Sequence, residues 1–168
     1  MRVPPISTAC IFFTALGNQV YAQSDTYSGA YLCIQEFGGG ISWDEGAKKW
    51  SGTRFNATGK VVLKLDPVST RIVKNFLDED IQVTDYQVTV TPMGEDFAAP
   101  CSPRQGNYTG PVTVGDRGWV GCTASFTDYS FNLSNLRYLE AYMVGYTSGV
   151  DNNENTPAMM GGTCAKIQ

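Results

Sequence analysis

The chain has 168 residues, twelve Lys and Arg against sixteen Asp and Glu, no histidine, and a formal charge of −4. That length suits one domain, and the acidic balance argues against nucleic acid or an anionic membrane surface as partner, since both call for basic patches. The absent histidine removes Ser–His and Cys–His pairs and the ordinary zinc site.

In chain order, residues 1–22 read as a cleaved signal peptide. Arg2 supplies the positive start, residues 9–16 a short apolar core, and Val20-Tyr21-Ala22 the small-x-small pattern before a cut at Ala22/Gln23. The core is too short for a membrane span. Residues 23–168 then form the single domain. Tyr31 to Phe37 is apolar on both faces and is broken by Gly38-Gly39-Gly40, and Ile41 to Trp43 leads through an Asp44–Ala47 turn to a return at Trp50. Val61, Leu63 and Leu65 alternate with polar residues, as do Tyr86, Val88 and Val90, up to a stop at Pro92. Between them, residues 68–77 could be helical, but their β-branched content favours an irregular strand at Arg71–Lys74. Asp78-Glu79-Asp80 reads as an exposed acidic loop. Residues 93–116, poor in apolar side chains and rich in Pro, Gly, Ser and Asn, read as a long loop pinned at Cys101.

Residues 119–126 return to strand, Tyr129, Phe131 and Leu133 alternate cleanly, and Ser134-Asn135 turns the chain into a last strand at Leu136. Apolar residues on both faces of that strand predict a central position. The segments Phe55–Lys60 and Phe131–Leu136 resemble each other, each offering Asn, a hydroxyl residue and then Gly or Asn, which predicts two hairpin turns. Both contain N-glycosylation sequons, Asn56-Ala57-Thr58 and Asn132-Leu133-Ser134, and a third lies at Asn107-Tyr108-Thr109.

These elements predict an all-β fold, a single antiparallel meander of about eight strands closed as an up-and-down barrel, with a β-sandwich as the alternative. Cys10 leaves with the signal, and the four remaining cysteines read as two disulfides. Cys33–Cys164 would staple the first strand to the last, and Cys101–Cys122 would pin the long loop to the strand after it. No C-x-x-C spacing favours a metal instead.

Function is less legible. Tyr138, Tyr142 and Tyr146 form a period-2 stripe with Glu140 on the same face, either core or the lining of a ligand pocket. Glu140 is the acidic residue to watch, because a carboxylate among aromatics is at a barrel mouth or is buried with a partner. Asp151, Asn153 and Asn155 alternate as calcium ligands do, but Thr156-Pro157 and Gly162 stand where such a loop needs its Gly and its bidentate Glu, so a polar turn is the better account. No residue is assigned a catalytic role and no cofactor is implied. The leading reading is an exported, non-enzymatic barrel that binds a small apolar or aromatic-stacking ligand or serves as a structural envelope protein. Behind it come a protein–protein module, such as an inhibitor, presenting Phe97, Arg104 and Tyr108 from the 93–116 loop, and paired carboxylates for glycoside hydrolysis.

Several segments carry a likeness. Tyr31-Leu32-Cys33, the Gly39–Asp44 turn sequence, Lys49-Trp50, Arg137-Tyr138-Leu139, and Asp151–Pro157 followed by Gly162-Thr163-Cys164 resemble small exported bacterial proteins of unknown function. The resemblance implies export to a secreted or periplasmic setting. It brings no activity and no site residues.

Overall fold

The computed structural model describes residues 27–104 and 110–168. The signal-peptide cut, Asn107 and Tyr108 lie outside those residues. The described chain is all β, with one antiparallel sheet of ten strands and a single 3-10 turn at Tyr146–Ser148. The strands are β1 (Gly29–Asp44), β2 (Lys49–Arg54), β3 (Lys60–Lys74), β4 (Asp80–Pro92), β5 (Ala99–Pro103), β6 (Val112–Val114), β7 (Trp119–Ala124), β8 (Thr127–Asn132), β9 (Arg137–Tyr142) and β10 (Ala158–Lys166). Pairing runs β1-β3-β4-β5-β7-β8-β9-β10 and returns to β1, a closed ring of eight. The remaining two strands lie beside it. β2 follows the same edge of β1 that β3 occupies further along, and β6 continues along the edge of β4 beyond β5.

Closure follows from alternation. Tyr31, Leu63, Val90 and Ala99 form one cross-strand row facing inward, and Gly162, Tyr138, Phe131 and Val120 form another. All but the glycine are large or branched side chains or Ala99, and all are buried. Phe131 lies between Tyr138 and Tyr129, stacked on each at ring separations of 5.7 and 5.8 Å, a geometry that adds to simple burial. The disulfides join Cys33 to Cys164 and Cys101 to Cys122. Cys33 and Cys164 are directly opposite one another where β1 meets β10, so the covalent bond lies on the seam that closes the ring. In the chain-entropy picture, a bridge spanning 131 residues contributes about 5 kcal/mol before any strain. The two bonds point to an oxidising, extracellular setting.

Several expectations change. Gly38-Gly39-Gly40 does not break β1. A Cβ on Gly40 would lie 2.1 Å from the Pro157 carbonyl oxygen, and one on Gly38 would lie 1.9 Å from the Met160 sulfur. These glycines therefore serve close approach within a continuous strand. Phe55–Lys60 is no hairpin, because β2 and β3 run the same way along β1 with residues 55–59 as an interruption between them. Asn132–Leu136 does turn the chain. Asn132 Oδ1 accepts from the Ser134 and Asn135 amides, Asn135 Oδ1 accepts from Arg137 N, and Leu136 takes φ +59°. Residues 93–116 are not one loop, since Val112 and Val114 are buried and β5 and β6 both pair with β4. The irregular strand expected at Arg71–Lys74 is the end of β3, and Asp80 belongs to β4, where it pairs with Lys74 at 3.0 Å.

Beyond Leu65 and Val88, β3 and β4 continue past the ring with β6 along β4 at Thr84–Tyr86, and past Arg71 and Val83 they project as a two-stranded arm. Its base is fixed by Asp85, which accepts two hydrogen bonds from the Arg71 guanidinium at 2.8 and 3.1 Å and others from Thr113 and Ser69. The Arg71 hydrogen bonds, helped by Thr113, hold the Asp85 carboxyl below the usual aspartate range despite its burial.

Candidate functional site

Of the four predicted ligand-binding residues, the structure brings two together inside the ring. Tyr138 and Glu140 are alternate residues of β9 and both point inward. The Glu140 Oε1 accepts a hydrogen bond from Gln35 Nε2, and the Gln35 amide oxygen in turn accepts from Gly59 N at 2.8 Å. Gln35 therefore bridges the buried carboxyl to the interruption between β2 and β3. The Tyr138 hydroxyl and Glu140 Oε2 are buried with no hydrogen-bond partner among the described residues. Burial pushes the Glu140 carboxyl above its ordinary range, against a lowering by Gln35. Burial together with the Glu140 charge pushes Tyr129 up to about 12 and Tyr138 up as well. The described hydrogen-bond partner of the Glu140 carboxyl is an amide rather than a second carboxylate.

Tyr142 and Tyr146 diverge from that pair. The Tyr142 hydroxyl donates to Asn155 Oδ1 at 2.8 Å. Tyr146 is not on the strand at all. β9 ends at Tyr142, and Gly145, at φ +94°, turns the chain into the 3-10 turn, where Tyr146 meets Trp50 edge to face at 5.6 Å. The period-2 stripe fails there because Gly145 turns the chain at positive φ, in a place too close to the Asn155 carbonyl oxygen for any Cβ. The three residues at alternate loop positions each bind protein groups. Asp151 Oδ1 accepts from Trp50 Nε1, Asn153 accepts from Trp43 N and donates to Trp43 O, and Asn155 receives Tyr142. Among the described residues no group of three or more His, Cys, Asp or Glu is placed to hold a metal ion. Residues 143–157 are thereby fastened to the β1–β2 hairpin, so the polar loop works as a clasp. Arg104, expected on an interaction loop, donates to the Tyr129 carbonyl at 2.7 Å, while Phe97 is exposed.

Outside the ring, on the opposite face of the same strands, lies a groove of about 510 Å³. Its floor is two cross-strand rows. Thr163, Arg137, Asn132 and Trp119 stand opposite one another across β10, β9, β8 and β7, and Gly161, Leu139 and Ser130 form the next row. A β-bulge between Gln35 and Phe37 lets two successive residues, Glu36 and Phe37, both face outward from β1. Phe37 and Leu139 lie over Gly161, where a Cβ would come within 2.6 Å of the Phe37 ring. Phe37 and Trp119 are 57% and 60% exposed, one at each end. Between them are the Arg137 guanidinium, the Ser130 hydroxyl, the Asn132 amide and Glu36, whose carboxylate accepts from the Thr163 hydroxyl. Two aromatic walls around a few polar groups is the composition of a binding site. Sequence reasoning missed these residues, although Arg137, Asn132 and Trp119 were each readable as the outward members of alternating strands.

A second surface is the tip of the β3–β4 arm. Asn75 Oδ1 accepts from the Leu77 and Glu79 amides at 2.8 and 3.0 Å, and Lys74 donates to the Asp78 carbonyl. On this bonded turn Phe76 is 92% exposed beside exposed Leu77.

Among the described residues no helix is long and apolar enough to cross a membrane. Set against protein-family models, characterised proteins and solved structures, the chain matches none of them.

Proposed function

We propose that the protein is an exported, non-enzymatic binding barrel that takes a small aromatic-stacking ligand in the outer groove between Phe37 and Trp119. The observation that carries this reading is the groove itself, two exposed aromatic rings flanking convergent polar side chains on a disulfide-closed wall. Rigid strands hold its lining, so little ordering accompanies binding, which favours affinity. The signal-like residues 1–22 and the two disulfides support export, and the resemblance noted in the sequence supports a secreted or periplasmic location. A binding role also accords with the chemistry of Glu140. Inside the ring its described hydrogen-bond partner is the Gln35 amide and not a second carboxylate of the kind glycoside hydrolysis uses.

A titration of soluble oligosaccharides and aromatic acids, followed by NMR on the Trp119 indole N–H, tests the reading. Saturable shifts at Trp119, abolished in Trp119→Ala with the spectrum otherwise intact, are expected. Binding that survives Trp119→Ala and shifts the interior tyrosines instead would move the site inside the ring. Turnover of a glycan, lost in Glu140→Gln, would replace binding with hydrolysis.

A second reading, a protein–protein module, draws support from Phe76 at the arm tip rather than from the 93–116 loop. A rigid turn presenting a solvated aromatic ring suits insertion into a partner's apolar pocket. Phe76→Ser should then abolish partner binding and leave the groove titration unchanged.

A further inference from the structure

Resting on the groove reading above, the geometry points to a carboxylated sugar chain as the ligand, with the acid group on Arg137 and a sugar face on Trp119. The first observation is the state of Arg137. On a chain of net charge −4, its exposed guanidinium lines the groove and makes no ion pair among the described residues, while the acid in the groove lining, Glu36, is hydrogen-bonded by Thr163. An unpaired guanidinium presents a planar fork of donors whose natural complement is a carboxylate held by two parallel hydrogen bonds.

The second observation is the donor pattern around it. The Asn132 oxygen is committed to the Ser134 and Asn135 amides, so its side-chain N–H groups are what remain for a ligand, next to the Ser130 hydroxyl. This part of the groove offers mainly donors, which selects an acceptor-rich molecule. Glu36, toward the Phe37 end, supplies an acceptor for sugar hydroxyls.

The third observation is spacing. Arg137 and Trp119 belong to one cross-strand row with Asn132 between them, so two strand spacings separate them, about 10 Å. A single sugar ring stacked on Trp119 does not reach Arg137 from there, but a short oligosaccharide does.

The test is isothermal titration of the full disulfide-bonded protein with a galacturonic acid trisaccharide and a short hyaluronan oligosaccharide, each compared with its methyl ester. The ester keeps the sugar and removes the charge. We expect the acid form of at least one to bind at least about tenfold more tightly than its ester, a difference of about 1.4 kcal/mol. Arg137→Gln should collapse that ratio to near one, and added salt should weaken the acid form selectively. Both Arg137 and Trp119 are exposed, so their variants should keep the wild-type circular dichroism. Equal binding of acid and ester, or an unchanged ratio in Arg137→Gln, with binding still lost in Trp119→Ala, would overturn the acidic ligand and leave the groove reading standing. No binding of any of these oligosaccharides would overturn the sugar ligand, and binding indifferent to Trp119→Ala would overturn the groove reading with it.

Discussion

The inner and outer faces of the wall made by β7, β8, β9 and β10 are built from the same residues taken alternately, yet they solve opposite problems. Inside, Val120, Phe131, Tyr138 and Gly162 meet in one row and are buried, with stacked rings and a disulfide one row away. Outside, their neighbours Trp119, Asn132, Arg137 and Thr163 meet in the adjacent row and line an open groove. The inner row gains stability from exclusion of water, and the outer row keeps apolar surface in water. Two exposed aromatic rings on one concave face are the kind of feature that stability does not explain, because leaving such surface solvated forgoes the transfer energy that burial supplies. The comparison separates residues kept for the fold from residues available to a ligand.

That division predicts a graded set of outcomes. The largest effect belongs to the seam. Replacing Cys33 and Cys164 by Ser, measured by denaturant unfolding, should cost up to about 5 kcal/mol, and a loss below about 1 kcal/mol would mean that the ring closes without it. Next comes the inner row. Phe131→Ala removes the centre of the Tyr138–Phe131–Tyr129 stack and should cost about 3–5 kcal/mol.

Glu140 gives a pH signature of the interior. Its folded pKa is raised above the ordinary 4.5 by burial, so the folded state binds the proton more tightly than the unfolded one. Stability from this group is full below the unfolded value and declines as pH rises through the folded value. Glu140→Gln should flatten that decline above the ordinary glutamate range, and a variant with the wild-type slope would place the titrating group elsewhere. The smallest change in stability is expected outside. Trp119→Ala should alter unfolding free energy by no more than about 0.5 kcal/mol while removing ligand binding, and a large stability loss would put Trp119 on the fold's side of the comparison.

Much of the inner face was legible before the structure, because alternation in single strands suffices to name Val61, Leu63, Val88, Val90 and Phe131 as core, and four cysteines in a meander constrain their pairing. The outer groove was not legible, because it depends on register across five strands. Glu36 and Thr163, joined there by a hydrogen bond, are 127 positions apart. The split strands hid for a related reason. On either side of residues 55–59 the alternation is normal, and nothing local shows that β2 and β3 continue along one neighbour instead of folding against each other. Glycines misled in a third way. Gly38 and Gly40 punctuate the sequence, but the backbone of Pro157 and the Met160 side chain come to them from the far end of the chain. Glu140 could be placed among aromatics from the sequence, but its partner Gln35 could not be found, since the two meet only after the ring has closed.

The bulge in β1 has an evolutionary reading. Gln35 pairs with Gly162 and Phe37 with Gly161, so the register shifts by one residue there and Glu36 is the surplus residue. A single inserted codon at this point adds a carboxylate to the rim of the groove and leaves the facing of the residues after Phe37 as it was. Related chains could therefore gain or lose that acid by a change of length rather than of identity, retuning what the groove accepts while the core behind it stays under unaltered selection.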